Sequence, residues 1–342
     1  MKTIKIKYSG MGGNFDEKNN FISNILREHF NIELSDDPDF LIYSVNSKEY
    51  LNYNCVRIFY TAENLVPDFN VCDYGIGFHY LDFEDRYIRY PLYLVDGFTA
   101  YKNDDYSNDL IRARNKHIHI SKHMANKNSF CSFVYSNADA SDCRENIFIK
   151  LNSYKEVNSG GRYKNNVGGP IQSKLGFQEK HKFVIAFENT MGNGYTTEKI
   201  IHAFSAGAIP IYWGNPEITK ECNSDAFINC HDFGLEADTP VDSPIYDEII
   251  NRIIEIDENE QRYLEMLKQP AFSKDYNIDE QQQKFQKYLI NIFSQDKETA
   301  YRRNLKYWGE RYERKQKIGN NYYWMLHKLV PIRDFLFNRN KV

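Results

Sequence analysis

Short apolar strand patterns alternate with helical patterns along this chain, and this alternation limits its possible folds more than any other feature of the sequence. In the first fifty residues, strand patterns at Thr3–Tyr8 and Phe40–Tyr43 flank a helical pattern over Phe21–Phe30. A strand, helix, strand order joins two parallel strands by a crossover. We therefore predict an α/β fold built on parallel sheets.

The same alternation starts again after a polar stretch at residues 102–128. Three further strand patterns follow, at Phe130–Tyr135, Lys182–Phe187 and Ala208–Trp213. With 342 residues, the chain exceeds the length at which one hydrophobic core usually stops growing. We therefore predict two Rossmann-like domains and a tail, at residues 1–125, 126–296 and 297–342.

Charge and cysteine usage argue against several classes of protein. The net charge of −4 gives the chain as a whole no electrostatic footprint for nucleic acid. Its six cysteines form no CxxC pair, which argues against a cysteine zinc site and a disulfide framework and favours a reducing compartment. The sequence shows neither a signal-peptide pattern at Met1–Tyr8 nor an apolar run of roughly 18 residues, so we predict a cytoplasmic protein.

The predicted tail is basic and aromatic, unlike the rest of the chain. From Lys297 to Val342 it carries 12 Lys or Arg against 4 acids, and the run Tyr322–Val330 is rich in aromatic and apolar residues. This composition is typical of an amphipathic helix that binds a surface. Two interpretations stay open here: peripheral contact with the inner face of an anionic membrane, or packing on the first domain.

The densest chemical signal is the block Phe187–Ile200, which is followed by Ala206–Gly214. A strand brings the carboxylate of Glu188 to its carboxyl end, glycines let the backbone approach a ligand, and a helix capped by Thr197 presents free N–H groups. Lys199 adds a positive charge in the first helical turn. The arrangement predicts a pyrophosphate site, although a strand, glycine loop and helix occur throughout α/β proteins.

The complete block resembles the signature of the α-1,3-fucosyltransferase family, in which Phe-Glu-Asn-Ser, a glycine-containing loop and Tyr-Val-Thr-Glu-Lys precede Ala-Gly-x-x-Pro-Ile-Tyr-Trp-Gly. Four more segments are similar to the bacterial branch of that family, in the same order: Arg57–Asn64, Cys72–Phe78, Asp82–Tyr87 and Ser136–Arg144. The resemblance covers about residues 55–290. It implies a GT-B architecture, with two Rossmann-like domains facing a cleft, and inverting transfer of L-fucose from GDP-fucose without a cofactor or bound metal.

The resemblance also implies roles for residues of this sequence. Glu63, which follows the strand pattern Val56–Tyr60, stands where the family has its general base. Arg144 and Lys199 match the family's cations for the donor diphosphate. The other implied donor-binding residues are Glu188, Asn189, Tyr195 and Glu198. Base and cations come from opposite predicted domains, which suits a single in-line displacement.

Three positions depart from the family pattern. Ala62 replaces a frequent glycine, Thr190 a serine and Thr196 a valine. Since each change is small or isosteric, the resemblance still implies GDP-fucose as the donor.

The implied acceptor is a GlcNAc-containing glycan of the lactosamine type, as in Lewis structures on bacterial surfaces. The sequence decides neither between O3 and O4 of GlcNAc nor among lactosamine, its β-1,3 isomer and a lipopolysaccharide chain as the acceptor. Three other hypotheses stay open: a GT-B enzyme that uses another nucleotide sugar, a carbohydrate-binding protein without catalysis, and a nucleic-acid binder that uses the basic tail. The acidic remainder of the chain argues against the last of these.

Overall fold

The computed structural model describes residues 1–12, 15–95, 104, 108–118, 120–303 and 306–337, with only the backbone described at residues 122–123 and 323–337. These residues form two parallel β-sheets with helices packed on their faces. The predicted α/β fold is therefore confirmed.

The first sheet has six parallel strands in the spatial order β2-β1-β3-β4-β5-β6. Their bounds are β1 (Lys2–Ser9), β2 (Phe30–Leu34), β3 (Phe40–Tyr43), β4 (Val56–Tyr60), β5 (Tyr74–Gly77) and β6 (Tyr87–Arg89). All five residues of β4 are buried, as expected for a central strand covered on both faces. Glu63 follows the carboxyl end of this strand, as predicted.

The second sheet has five parallel strands in the spatial order β11-β10-β9-β7-β8. Their bounds are β7 (Ser129–Phe133), β8 (Val157–Ser159), β9 (His181–Phe187), β10 (Ile209–Trp213) and β11 (Ile228–Asn229). The strand order reverses between β7 and β9, so the loops that follow these two strands open into one crevice. In open α/β sheets such a crevice is where ligands bind.

Eleven α-helices are formed by the described residues. They are α1 (Phe21–Arg27), α2 (Asp109–Arg114), α3 (Ile120–Asn126), α4 (Asp142–Tyr154), α5 (Lys174–Gln178), α6 (Lys199–Ser205), α7 (Pro244–Asp257), α8 (Glu260–Leu267), α9 (Ile278–Ser294), α10 (Lys297–Ala300) and α11 (Trp308–Phe337). Buried side chains of α4, α7 and α8 share one core with Phe183 and Trp213 of the second sheet. Ala203 of α6 shares a separate cluster with Val184 of β9.

The helix predicted over Phe21–Phe30 ends earlier in the structure. Asn20 caps α1 by accepting hydrogen bonds from two backbone N–H groups, and the helix ends at Arg27. Phe30 instead begins β2, where it pairs with Lys2 of β1. The prediction was wrong at this end because the apolar spacing of Phe30 suits a helix as well as an edge strand.

Helix α9 covers the first sheet although it follows the second sheet in sequence. Phe285 and Leu289 lie in the same buried core as Ile6. The ring centroids of Phe293 and Phe40 are 4.7 Å apart. The chain therefore returns to its first half after completing the second sheet, and the boundaries predicted after residues 125 and 296 stay predictions.

The tail is held on the first half of the chain by a buried ionic cluster. Glu313 of α11 accepts hydrogen bonds from Arg57 at 2.9 Å and from Arg303 at 3.2 Å. Arg303 also donates to Asp73 at 3.0 Å, and both arginines are buried. A helical tail was predicted, and this part of it packs on the first sheet. The side chains at 323–330, which the sequence suggested for membrane contact, lie outside the described residues.

A search of the described residues finds no helix with the length and apolar character needed to cross a membrane.

Candidate active site

Glu188 is a buried carboxylate just beyond β9. Its backbone N–H donates to the carbonyl of Trp213 at 2.8 Å, which continues the pairing of β9 with β10. Its carboxylate accepts hydrogen bonds from the backbone N–H and the hydroxyl of Thr197, both at 2.7 Å, and from Lys199 at 2.8 Å. A buried carboxylate with this set of donors is satisfied and held in one position.

Thr197 does not cap α6, which corrects the prediction from the sequence. The cap position belongs to Glu198, whose side chain makes no capping bond. The N–H and hydroxyl of Thr197 donate to Glu188 instead, so one N–H group expected to be free for a phosphate is already used. The other end of the helix is followed by Gly207, whose φ of +60° is typical of a glycine that ends a helix.

Lys199 is the cation of this network and reaches the surface of the crevice. Its side chain is 15% exposed, whereas that of Glu188 is completely buried. Burial alone would lower the pKa of Lys199, but the carboxylates of Glu188 and Glu198 outweigh burial and raise the pKa above its ordinary value. Lys199 is therefore a permanent positive charge at this site.

Glu198 is a second carboxylate of the same cluster. Burial favours its neutral form, but the charges of Lys199, Lys174 and His202 outweigh burial and lower the pKa of Glu198 to about 2. The ammonium of Lys174 is buried and lies 3.2 Å from Nδ1 of His202. Burial lowers the pKa of Lys174. No motif in the sequence marks Lys174, so it was not among the predicted site residues.

Arg144 lies in the first turn of α4 and contacts the loop after β9. Its guanidinium donates to Oδ1 of Asn189 at 2.8 Å and to the carbonyl of Asn137 at 2.6 Å. The same group lies 4.4 Å from the centre of the Tyr135 ring. Two predicted donor-binding residues, one after each strand of the crevice, therefore contact each other directly.

Tyr195 lies in a loop that presses against the first half of the chain. Its buried ring packs edge-on against Phe78, with ring centroids 4.9 Å apart. The preceding residue, Gly194, has a φ of +87°, and a Cβ atom there would lie 2.3 Å from the carbonyl oxygen of Phe78. Glycine is required here both by the left-handed backbone and by the close approach.

Glu63 joins this region from the first half of the chain. Its side chain is exposed, and the next residue, Asn64, donates to the hydroxyl of Thr190 at 2.9 Å and to the following carbonyl at 3.0 Å. After burial and the charge of Glu188, the charge of Glu63 contributes to the raised pKa of Tyr195. The predicted base therefore lies beside the predicted donor block.

The structure brings the seven predicted site residues into one region, while their roles stay predictions. Arg89 and Glu221 also reach it, and no motif marked them. The Arg89 guanidinium donates to the carbonyl of Gly194 at 2.7 Å and to Glu221 at 2.6 Å. Contacts between residues so distant in sequence leave no local signal.

Metal ligands were not expected here. The described parts of the chain contain no group of three or more His, Cys, Asp or Glu side chains that could hold a metal ion. All six cysteines are buried and free. Chemistry without a bound metal stays a prediction.

Comparison with protein families decides the class of this chain. The α-(1,3)-fucosyltransferase FucT N-terminal domain matches residues 6–96. Glycosyltransferase family 10 (fucosyltransferase) C-term matches residues 124–308, which is more than half of the chain. The chain belongs to glycosyltransferase family 10.

Curated relatives share part of their length with this family 10 protein. It is 37% identical to the α-(1,3)-fucosyltransferase FucT of Helicobacter pylori over 278 residues, which are 73% of this chain and 56% of the relative. It is 34% identical to the GDP-fucose protein O-fucosyltransferase 3 of Homo sapiens over 97 residues, which are 25% of this chain and 20% of the relative. The family 10 chain thus spans about half, or less, of these relatives.

A solved α-1,3-fucosyltransferase with GDP-fucose has a similar structure. The match has a TM-score of 0.64 and 30% sequence identity, and it covers 84% of this chain and 91% of the other. Together with the two parallel sheets, it confirms the predicted GT-B architecture of this family 10 protein.

Proposed function

We propose that this protein is an inverting α-1,3-fucosyltransferase that transfers L-fucose from GDP-β-L-fucose to a sugar hydroxyl. One observation carries the proposal: in a family 10 chain, Glu188, Thr197 and Lys199 form a buried network beside the Arg144–Asn189 pair. The Helicobacter pylori relative is named for this activity, and the similar solved structure contains GDP-fucose. Both support a GDP-fucose site in the crevice of the second sheet.

Two cations are proposed to stabilise the departing GDP. Lys199 directs two ammonium N–H groups to Glu188 and Thr197, and the third is assigned to a phosphate oxygen. Arg144, held by Asn189, contributes its guanidinium charge at the neighbouring strand end. Preorganised charges of this kind typically lower a barrier by about 3 kcal/mol each. We assign Tyr195 and Glu198 to the donor sugar and ribose side of the same pocket.

Glu63 is proposed to be the general base. In an inverting transfer, the acceptor oxygen forms its bond to the anomeric carbon while the bond from that carbon to the β-phosphate oxygen breaks. The proton of the acceptor hydroxyl passes to the carboxylate of Glu63. The exposed side chain of Glu63 is accessible to an acceptor, and Asn64 ties its loop to Thr190 of the donor block.

For the acceptor we propose O3 of GlcNAc in a lactosamine-type glycan, with O4 as the alternative. The name of the Helicobacter pylori relative supports the α-1,3 linkage. Lewis-type structures on bacterial surface glycans are the corresponding products.

We also propose peripheral contact of the tail with the inner face of the membrane, supported by the exposed rings of Tyr307 and Trp308.

The proposal is tested by measuring GDP release from GDP-fucose with N-acetyllactosamine as acceptor, in EDTA. Wild-type protein is compared with Glu63→Gln and with a matched control, Glu33→Gln, which changes an exposed acid on β2. We expect acceptor-dependent turnover in EDTA that falls roughly 1,000-fold in Glu63→Gln and is unchanged in Glu33→Gln.

Three results would contradict this proposal in part or as a whole. Turnover of another nucleotide sugar in preference to GDP-fucose would change the donor. Acceptor binding without GDP release would indicate a carbohydrate-binding protein without catalysis. Absence of GDP-fucose binding would contradict the proposed function as a whole.

A further inference from the structure

A single buried carboxylate, Glu221, joins the two halves of the chain. It follows a short helical turn of the second half and is 1% exposed. Five side chains donate hydrogen bonds to it, and they come from both halves: Tyr80, Arg89 and Tyr93 from the first, Thr196 and Asn215 from the second. A buried carboxylate with this many donors keeps its partners in fixed positions.

Arg89 connects this carboxylate to the loop of the donor block. Its Nε donates to the carbonyl of Phe78 at 2.6 Å, and one Nη donates to the carbonyl of Gly194 at 2.7 Å and to Glu221 at 2.6 Å. Gly194 immediately precedes Tyr195. A planar guanidinium can hold these three acceptors together, whereas a lysine ammonium cannot reproduce the same fork.

Glu221 and Asn215 hold the other side of the same loop. The hydroxyl of Thr196 donates to Glu221 at 3.1 Å, and the backbone N–H of Gly194 donates to Oδ1 of Asn215 at 2.8 Å. The residue before Tyr195 and the residue after it are therefore both attached to one ionic pair.

We propose that Arg89 and Glu221 are positioning residues for the donor site. The pair fixes the loop 194–196 against the first sheet, and it thereby presents Tyr195 to the donor in one conformation. This inference rests on the proposed function, since the ligand concerned is GDP-fucose. A loop that is already ordered loses less freedom when the ligand binds, so the pair increases affinity for the donor.

Arg89→Lys tests the role while keeping the charge beside Glu221. Arg86→Lys is a matched control, because Arg86 also lies in the first half and donates to three backbone carbonyls, those of Phe69, Cys72 and Asp73. Binding of GDP-fucose is measured by calorimetry, and unfolding by heating. We expect Arg89→Lys to raise the Kd for GDP-fucose on the order of tenfold, and Arg86→Lys to leave the Kd within about twofold of the wild-type value.

Hydrogen exchange without ligand provides a second readout, because it reports the order of loop 194–196 itself, whereas a general loss of stability would speed exchange throughout the fold. We expect the amides of residues 194–197 to exchange faster in Arg89→Lys than in Arg86→Lys. Equal exchange in the two variants, or equal Kd values, would overturn the positioning role even if the wild-type protein binds GDP-fucose. Wild-type protein that does not bind GDP-fucose would overturn the proposed function, and the positioning of a donor site with it.

Discussion

The ammonium group of Lys199 lies 2.8 Å from the completely buried carboxylate of Glu188. The same lysine is proposed to meet the donor diphosphate. The ammonium is already ordered by this carboxylate and by the hydroxyl of Thr197. Binding of GDP-fucose would therefore not have to desolvate and order a free lysine side chain. Removal of either partner has consequences for folding as well as for binding.

Replacement of Lys199, which belongs to a buried ion pair, should cost more stability than replacement of a lysine in an exposed ion pair. In Lys199→Met the carboxylate of Glu188 stays buried without its cation, and we expect the free energy of unfolding to fall by roughly 3 kcal/mol. In the control Lys220→Met, which breaks an exposed pair with Glu217, we expect a loss below about 1 kcal/mol. Urea unfolding of both variants measures the difference, and equal losses would contradict the importance of the buried pair.

Two glycines with similar φ angles allow the cost of a close contact to be measured apart from the cost of backbone strain. Gly194 and Gly168 have φ values of +87° and +84°, but a Cβ atom would meet the Phe78 carbonyl only at position 194. We expect Gly168→Ala to cost about 1 kcal/mol of unfolding free energy, and Gly194→Ala to cost clearly more. Only Gly194→Ala should weaken GDP-fucose binding. Similar stabilities and affinities for the two variants would argue against contact between the donor loop and the first sheet.

The low pKa of Glu198 predicts a contribution to acid sensitivity. Its pKa of about 2 in the folded protein lies below the ordinary value of 4.5, so as the pH falls the unfolded chain binds this proton first. The contribution of Glu198 to stability is therefore complete above pH 4.5 and is lost as the pH falls towards 2. We expect Glu198→Gln to show a smaller decline in unfolding free energy across this window.

Urea unfolding at a series of pH values measures this decline, with Glu248→Gln as a control that removes an exposed acid of α7. If wild-type protein and Glu198→Gln lost stability at the same rate between pH 4.5 and 2, the charges of Lys199 and Lys174 would not lower the pKa of Glu198 in the folded protein.

The anchoring of the tail can be tested at one residue. Glu313→Ala leaves the buried guanidinium groups of Arg57 and Arg303 without a shared carboxylate, and we expect a loss of roughly 3 kcal/mol of unfolding free energy. The control Glu310→Ala breaks an exposed pair with Arg314 on the same helix and should cost less than about 0.5 kcal/mol. If Glu313→Ala left the free energy of unfolding unchanged, α11 would not pack on the first sheet in solution.

Local patterns in the sequence were sufficient to find the strand ends that carry the site. Apolar runs of strand length precede both Glu63 and Glu188, and a residue just beyond a parallel strand lies at the edge where ligands bind. The glycines after Glu188 and the helix that carries Lys199 were predictable for the same reason. Each of these features depends on residues that are close together in sequence.

Contacts between distant residues could not be predicted from local patterns. Thr197 has the residue type and place of a helix cap, but its hydroxyl and N–H donate to a carboxylate nine positions earlier. The pairing of Arg89 with Glu221 spans 132 positions. An apolar stripe on α9 predicts that the helix is buried, but it does not predict that the burial is against the first sheet.

The return of α9 to the first sheet restricts how segments can be exchanged between two members of the family. A fragment that stops before Ile278 would leave Phe40 and the apolar face around it uncovered, so the first half is not a module that can be cut out as one continuous piece. An exchange of donor-binding halves between two members of the family must leave α9 with the recipient. Such a hybrid needs two junctions, one on each side of the transferred segment.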